Sequence, residues 1–329
     1  MKTKIQLFAA FLLLAVGALW LTSCSSEDAV QGSGSQADAS LTLTINTGKV
    51  GSRATAWDGT TTPTSTDENT INRLTVGIFD ASTKKVKTIV ELTSATTGGN
   101  SLSVSGNTAT AKIVTTSLAT GDDVLVAANA PAGNFAGVAD ETGFNAKTEG
   151  IESAVISSSD NTKEINTNIP MYGASTLNGS GSAFTAAVSV QHQLAKITLD
   201  DLEVAFDANG PYKEAEFTPT EFFLVNVPEK LAFNSDAWVN GVGHLHGMSS
   251  TTYSSLPAAT EWGTYKEYLS SAATGSTALK GTSDTYASKS YFYVTPCDDA
   301  STNGKMKLII AGTFKTNSSD AGTTVFYPV

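Results

Sequence analysis

The sequence predicts an all-β protein built as two antiparallel β-sandwich domains with minor short helices. Three observations predict it. Apolar residues recur at every second position in many short runs, the period of a strand with one buried face. Between those runs Gly, Ser, Thr, Asn and Asp gather at irregular intervals, as in turn-rich antiparallel folds. Helical periodicity is nearly absent, and only 135–155 and 261–271 (using Trp262, Tyr265 and Leu269) have room for short helix. Of 329 residues, 40% are hydrophobic, which supplies a core, and 16% are charged, below the usual quarter. A net charge of −11 argues against nucleic acid as a partner, because phosphate binding needs a basic face.

The first element is an export signal. Lys2 and Lys4 precede an apolar run from Leu7 to Leu21, too short for a standard membrane span and typical of a secretory signal over residues 1–23. It closes in Leu21-Thr22-Ser23-Cys24, which resembles the lipobox of bacterial lipoproteins. The resemblance implies cleavage before Cys24, a diacylglycerol on its thiol, and outer-membrane lipid as a first partner; two or three acyl chains give stable anchoring. Ser25-Ser26-Glu27-Asp28 resembles the export tag of some surface lipoproteins. With Cys24 lipidated, Cys297 is left as a structural thiol with no disulfide partner.

A polar tether runs to about Ser40. Leu41-Thr42-Leu43-Thr44-Ile45 then alternates strictly, placing Leu41, Leu43 and Ile45 on one face. The turn-rich stretch from Gly48 to Asn69 is interrupted by Arg53, its only basic residue after Lys49. Strands follow at Leu74–Phe79, Lys85–Leu92, Leu102–Val104 and Thr110–Val114. Val124–Asn129 is apolar at nearly every position and reads as a central strand buried on both faces. Asn178-Gly179-Ser180-Gly181-Ser182 reads as a flexible break, so the N-terminal domain is expected over 54–183 and the C-terminal domain over 184–329. Within the second half, strands are expected at Val188–Val190, Leu194–Leu199, Leu202–Phe206, Phe222–Val227, Tyr291–Val294, Met306–Ile310 and Val325–Tyr327.

Catalytic chemistry finds little support. His244-Leu245-His246 has a spacing that can ligate a metal, but no third ligand is evident. His192, between Gln191 and Gln193, reads as a surface or interdomain residue. Asp122-Asp123, Asp200-Asp201 and Asp298-Asp299 all fall at turns, where Asp bends or caps the chain. No phosphate loop, nucleophile elbow or zinc-protease motif is present. The reading is a non-enzyme with no cofactor and no metal. Trp238, Tyr253, Trp262 and Tyr265 could line a sugar site, though core packing accounts for most of them.

Taken in order, the lipobox, the first strand, an Arg followed by Ala and a two-part β chain resemble the fimbrillins, the major fimbrial subunits of type V pili. Ile71–Asp80 is similar to the family's first strand after its processing site, and Leu125-Val126-Ala127-Ala128-Asn129-Ala130 to its central strand. Gln193–Ile197 resembles the opening of the C-terminal domain, and Tyr291–Val294 through Phe314 a late hairpin. The resemblance implies two transthyretin-like, Greek-key sandwiches and a lipidated propeptide over 24–53. It also implies an Arg-specific surface protease acting at Arg53-Ala54, and polymerisation by donor-strand exchange with other copies or related pilins. Cutting there removes the self-complementing strand of Leu41, Leu43 and Ile45, leaving 16 basic and 28 acidic residues against 18 and 31 in the lipidated form. Net charge moves only from −13 to −12, so strand loss and not electrostatics would control assembly. Thr324–Val329 resembles a motif that fimbrillins follow with several more strands, the donor segment included, so the resemblance implies either a C-terminal sandwich that continues past Val329 or a subunit with no donor strand of its own. The leading expectation is a stalk subunit in surface fimbriae supporting adhesion; the alternative is a tip adhesin or anchor lipoprotein binding host protein or glycan.

Overall fold

The computed structural model describes residues 38–47, 68–151, 168–234, 239, 243–247, 269–287, 290–296 and 306–329. The N-terminal half contains β1 (Ala39–Asn46), β2 (Arg73–Phe79), β3 (Val86–Thr93), β4 (Ser101–Ser105), β5 (Thr108–Thr115) and β6 (Asp123–Ala128). A short helix, α1 (Glu141–Asn145), and β7 (Thr148–Gly150) follow, then β8 (Met171–Thr176), β9 (Asn178–Ser180), β10 (Ala183–Ser189) and β11 (Gln191–His192). Two five-stranded sheets result, in the orders β4-β5-β1-β10-β9 and β11-β8-β6-β2-β3. Period-2 alternation turns one face of each inward. Leu41, Leu43, Ile45, Ala111 and Ile113 of the first sheet meet Leu74, Val76, Ile78, Val124 and Val126 of the second in one buried cluster. All but one of the pairings in these two sheets are antiparallel; β1 and β10 run parallel.

The strand β6 behaves as its apolar run predicts. Val124, Val126 and Ala128 face the first sheet, while Leu125 and Ala127 enter a second cluster on the opposite face. That second cluster also holds Phe79, Phe135 and Phe144, and continues through Phe217, Phe222, Leu231 and Phe233 of the C-terminal half. Gly77 is required at this face. A Cβ there would stand 2.6 Å from the Phe79 ring and 2.9 Å from that of Phe144. The Phe79 and Phe144 rings meet edge to face at 5.7 Å, a favoured aromatic geometry.

The C-terminal half contains β12 (Ala195–Leu199), β13 (Leu202–Val204), β14 (Glu216–Val225), β15 (Val227–Pro228), β16 (Lys230–Ala232) and β17 (His244–Leu245). After these come β18 (Ser270–Ala272), β19 (Leu279–Lys280), β20 (Asp284–Tyr286), β21 (Ser290–Val294), β22 (Lys307–Lys315) and β23 (Thr323–Pro328). Its largest sheet runs β18-β14-β22-β23, with β19 also on β14, and β12-β21 and β13-β20 form two-stranded pairs. β16 pairs with β7 and so joins the two halves by backbone hydrogen bonds.

Two expectations meet a different arrangement. Residue 184, where the sequence reading opens the C-terminal domain, lies inside β10, paired with Leu41 of β1. The Gly-rich break at 178–182 is a hairpin between β9 and β10, and pairing partners change only between His192 and Ala195. The helix expected within 135–155 shrinks to α1, capped by the Asp140 carboxylate on the Gly143 N–H at 2.9 Å. Most of 261–271 lies outside the described residues, and its end, Ser270–Ala272, is strand. Among the described residues no helix is long and apolar enough to cross a membrane.

Candidate functional site

The site of interest is β1 together with the segment that follows it. β1 occupies the middle of its sheet, antiparallel to β5 on one edge and parallel to β10 on the other. Leu41 lies between Ile113 and Phe184, Leu43 between Ala111 and Ala186, and Ile45 between Ala109 and Val188. All three side chains are fully buried, whereas Thr42 is exposed and Thr44 half-buried on the outer face. The two alanines beside Leu43 leave the width that a leucine fills. The strand carries no ionisable side chain. Past its end, the Thr47 N–H and hydroxyl both donate to the Asn107 carbonyl, at 3.0 and 2.9 Å.

At Glu68 the chain is held by polar groups. The Glu68 Oε1 accepts from Lys196 Nζ and from the Tyr293 hydroxyl, each at 2.6 Å. Lys196 Nζ also lies 5.4 Å from the centre of the Tyr291 ring and 5.8 Å from that of Tyr293, within cation–π range. His192 packs beside Glu68: burial pushes its pKa down, while the Glu68 charge and a hydrogen bond to the Glu68 backbone oppose that. Next along, Asn129 takes a positive φ of 60° and ends β6. Its amide donates to Thr70 O (2.8 Å) and Ile169 O (3.0 Å), and its oxygen accepts the Asn72 N–H (2.9 Å). One asparagine thus satisfies three backbone groups that the chain would otherwise bury unpaired.

The predicted strand residues Leu41, Leu43 and Ile45 therefore sit together in the core. Cys24, Arg53 and Ala54 lie outside the described residues, as do Cys297, Asp298, Asp299, Trp238, Tyr253, Trp262 and Tyr265. His244 and His246 are buried on either side of Leu245, and burial lowers the pKa of His244 against the opposing charge of Glu229. Among the described residues no group of three or more His, Cys, Asp or Glu could hold a metal ion. Asp122 is structural: it accepts Lys87 Nζ at 2.8 Å and the Ala119 N–H at 2.7 Å. Sequence reasoning missed Glu68, Asn129, Lys196 and Tyr293. The visible signal was Lys196, a charge in the middle of the apolar run Leu194–Leu199.

Three comparisons place this architecture. The chain is similar to two solved structures from Parabacteroides distasonis ATCC 8503, each carrying a provisional designation as a cell adhesion protein. The first shares 13% identity over 88% of this chain and 80% of that one, with a TM-score of 0.61. The second shares 15% identity over 90% and 84%, with a TM-score of 0.54. At such identities they establish the sandwich fold. No curated protein matches the sequence. Residues 39–200 match the profile of the family described as "Major fimbrial subunit protein (FimA)", a span that begins with β1 and ends just after β12. By that match the part of the chain from β1 through β12 belongs to the major fimbrial subunit family.

Proposed function

We propose that the chain is a structural subunit of a surface fimbrium, exported as a lipoprotein on Cys24, cut after Arg53 and polymerised by strand exchange. Family membership supports the coarse part of this reading, a fimbrial subunit assembling with other pilins at the cell surface. The observation that carries the finer part is the position of β1. It is a central strand, it lies upstream of Arg53, and all three of its large apolar side chains are fully buried.

Cutting after Arg53 disconnects residues 39–46 from everything downstream. Losing the strand would expose facing edges of β5 and β10 and a groove lined by Ala111, Ile113, Phe184 and Val188. Each re-exposed apolar side chain costs roughly 1.5–3 kcal/mol, an upper estimate for folded-state burial. A strand from another subunit recovers that burial and the backbone pairing. The resulting contact is head-to-tail and builds a filament. Until the cut, β1 fills the groove and keeps the precursor monomeric. In this reading the N-terminal sandwich extends to about His192, and the C-terminal domain begins near Ala195.

The test is an Arg53→Ala full-length protein expressed on cells. It should accumulate as acylated chain beginning at Cys24 and form no filaments, whereas normal filaments built from residues 24–329 would sink strand exchange. Cys24→Ala should in turn lose labelled fatty acid and fail to reach the outer membrane.

A further inference from the structure

We propose that Glu68, clamped by Lys196 and Tyr293, is a positioning residue that confines proteolytic processing to one arginine. The proposal rests on the reading that Arg53 is the processing site. Arg53 and Arg73 are the two arginines of the chain, so an Arg-specific protease has two candidate bonds. Arg73 opens β2, pairs with Thr93 of β3, and sends its guanidinium to the Ala130 carbonyl at 3.3 Å. Its own carbonyl accepts the Asn129 N–H at 2.8 Å. Arg73 is therefore shielded only while the start of β2 stays in place, because a protease needs an extended, unpaired segment.

What keeps it in place is the short stretch from Glu68 to Asn72. The segment carrying Arg53 is held at its upstream end by the Thr47 bonds to one carbonyl, and at its downstream end by Glu68. These two posts differ in kind. The Thr47 bonds are neutral. The Glu68 bonds are charge-assisted, with the Lys196 side chain only 8% exposed, and such bonds are roughly twice as strong. The clamp also crosses the molecule: Glu68 belongs to the N-terminal half, Lys196 and Tyr293 to β12 and β21. After a cut at Arg53, the upstream piece leaves with β1 while the downstream piece stays fastened to the C-terminal half. Without the clamp, the new end is held only from Thr70 onward, by Asn129 and the buried Ile71, and frays more often toward Arg73-Leu74. A cut there would strip Arg73 from the head of β2, the strand between β3 and β6, and take with it the Thr70 and Asn72 contacts of Asn129.

The experiment uses the full chain and the variants Glu68→Gln, Lys196→Met and Tyr293→Phe, with Lys280→Met as control because it breaks the exposed pair to Glu216. Amide hydrogen exchange of the uncut proteins comes first. Residues 69–73 should exchange about tenfold faster in the three clamp variants and unchanged in the control, the size expected for losing one charge-assisted bond. Equal exchange in all four overturns the clamp, whether or not Arg53 is ever cut. Digestion with an Arg-specific protease follows, read by mass. Wild type and control should stop at the fragment beginning with Ala54, while the clamp variants go on to one beginning with Leu74. Cutting at Arg53 with Arg73 equally resistant in all proteins also overturns it. A wild-type chain that resists cutting at Arg53 counts against the processing reading instead, and the exchange data still decide the clamp.

Discussion

β1 and β23 are the first and last strands of the described residues; β1 alternates apolar with polar residues, β23 carries Val325, Phe326 and Tyr327 in a row, and they have opposite fates. β1 lies between two partners and buries Leu41, Leu43 and Ile45 completely. Among the described residues β23 pairs with β22 alone, Tyr327 is 46% exposed and Val329 74% exposed. Tyr327 touches the Phe217 ring edge-on at 5.5 Å and borders an open apolar depression of about 230 Å³ with Leu202, Val204 and Phe314. The alternation of β1 reports two different faces, and the apolar run of β23 does not make it a central strand. Whether it is central or at an edge depends on what pairs with it.

The largest effect should separate these two strands directly. Leu43→Asp places a carboxylate between Ala111 and Ala186 in a closed core, and even Leu43→Ala should cost about 2–5 kcal/mol. Tyr327→Ala, on the open edge, should cost about 1 kcal/mol or less. Urea denaturation of the soluble chain gives both numbers, and equal losses would erase the distinction between the strands. A second comparison concerns close approach in each half. Gly77 lies under the Phe79 and Phe144 rings, and Gly312 of β22 lies under the Phe217 ring. Alanine at either position should destabilise by about 1–3 kcal/mol through overpacking, visible as a lower melting temperature.

The joint between the halves should respond to pH. Glu149 of β7 is 3% exposed, both its oxygens lack a hydrogen-bond partner among the described residues, and burial pushes its pKa up to about 8. Its folded pKa lies above the usual 4.5, so the folded state holds a proton that the unfolded chain has released. That contribution to stability is fully present below pH 4.5 and is lost as the pH rises through 8. Glu149→Gln should flatten the decline between those values, measured by melting temperature against pH. The smallest effects come from two matched turns. Asp80 and Asp320 accept backbone N–H groups of Thr83 and Ser82, and of Thr316 and Gly322, which hold each carboxyl at about 2. Their contribution is present above the usual 3.8 and fades as the pH falls through 2. Asp80→Asn and Asp320→Asn should each remove a small, similar part of the acid sensitivity.

Much of the fold was legible because its strands are local patterns. Leu41–Ile45, Leu74–Phe79 and Val124–Asn129 fall within a residue or two of their observed ends. β8 was missed because Met171-Tyr172-Gly173-Ala174-Ser175-Thr176 contains a glycine where a strand normally carries a side chain. In the fold that glycine is needed, since a Cβ there would collide with Ser189 and Val188. β10 was half missed because the Gly-rich turn before it looks like a linker, while Phe184, Ala186 and Val188 alternate as a strand should. The clamp was illegible for a different reason. Glu68 meets Lys196 across 128 residues and Tyr293 across 225, and no local pattern announces pairs so distant in sequence.

The central claim is that β1 is a temporary strand, present in the precursor and absent from the assembled subunit. The most direct measurement is the N-terminal residue of this chain in purified surface filaments, read by intact mass and terminal sequencing. The account predicts Ala54, with residues 39–46 gone from the filament. A chain that begins with acylated Cys24 and still carries Leu41, Leu43 and Ile45 inside filaments would contradict it.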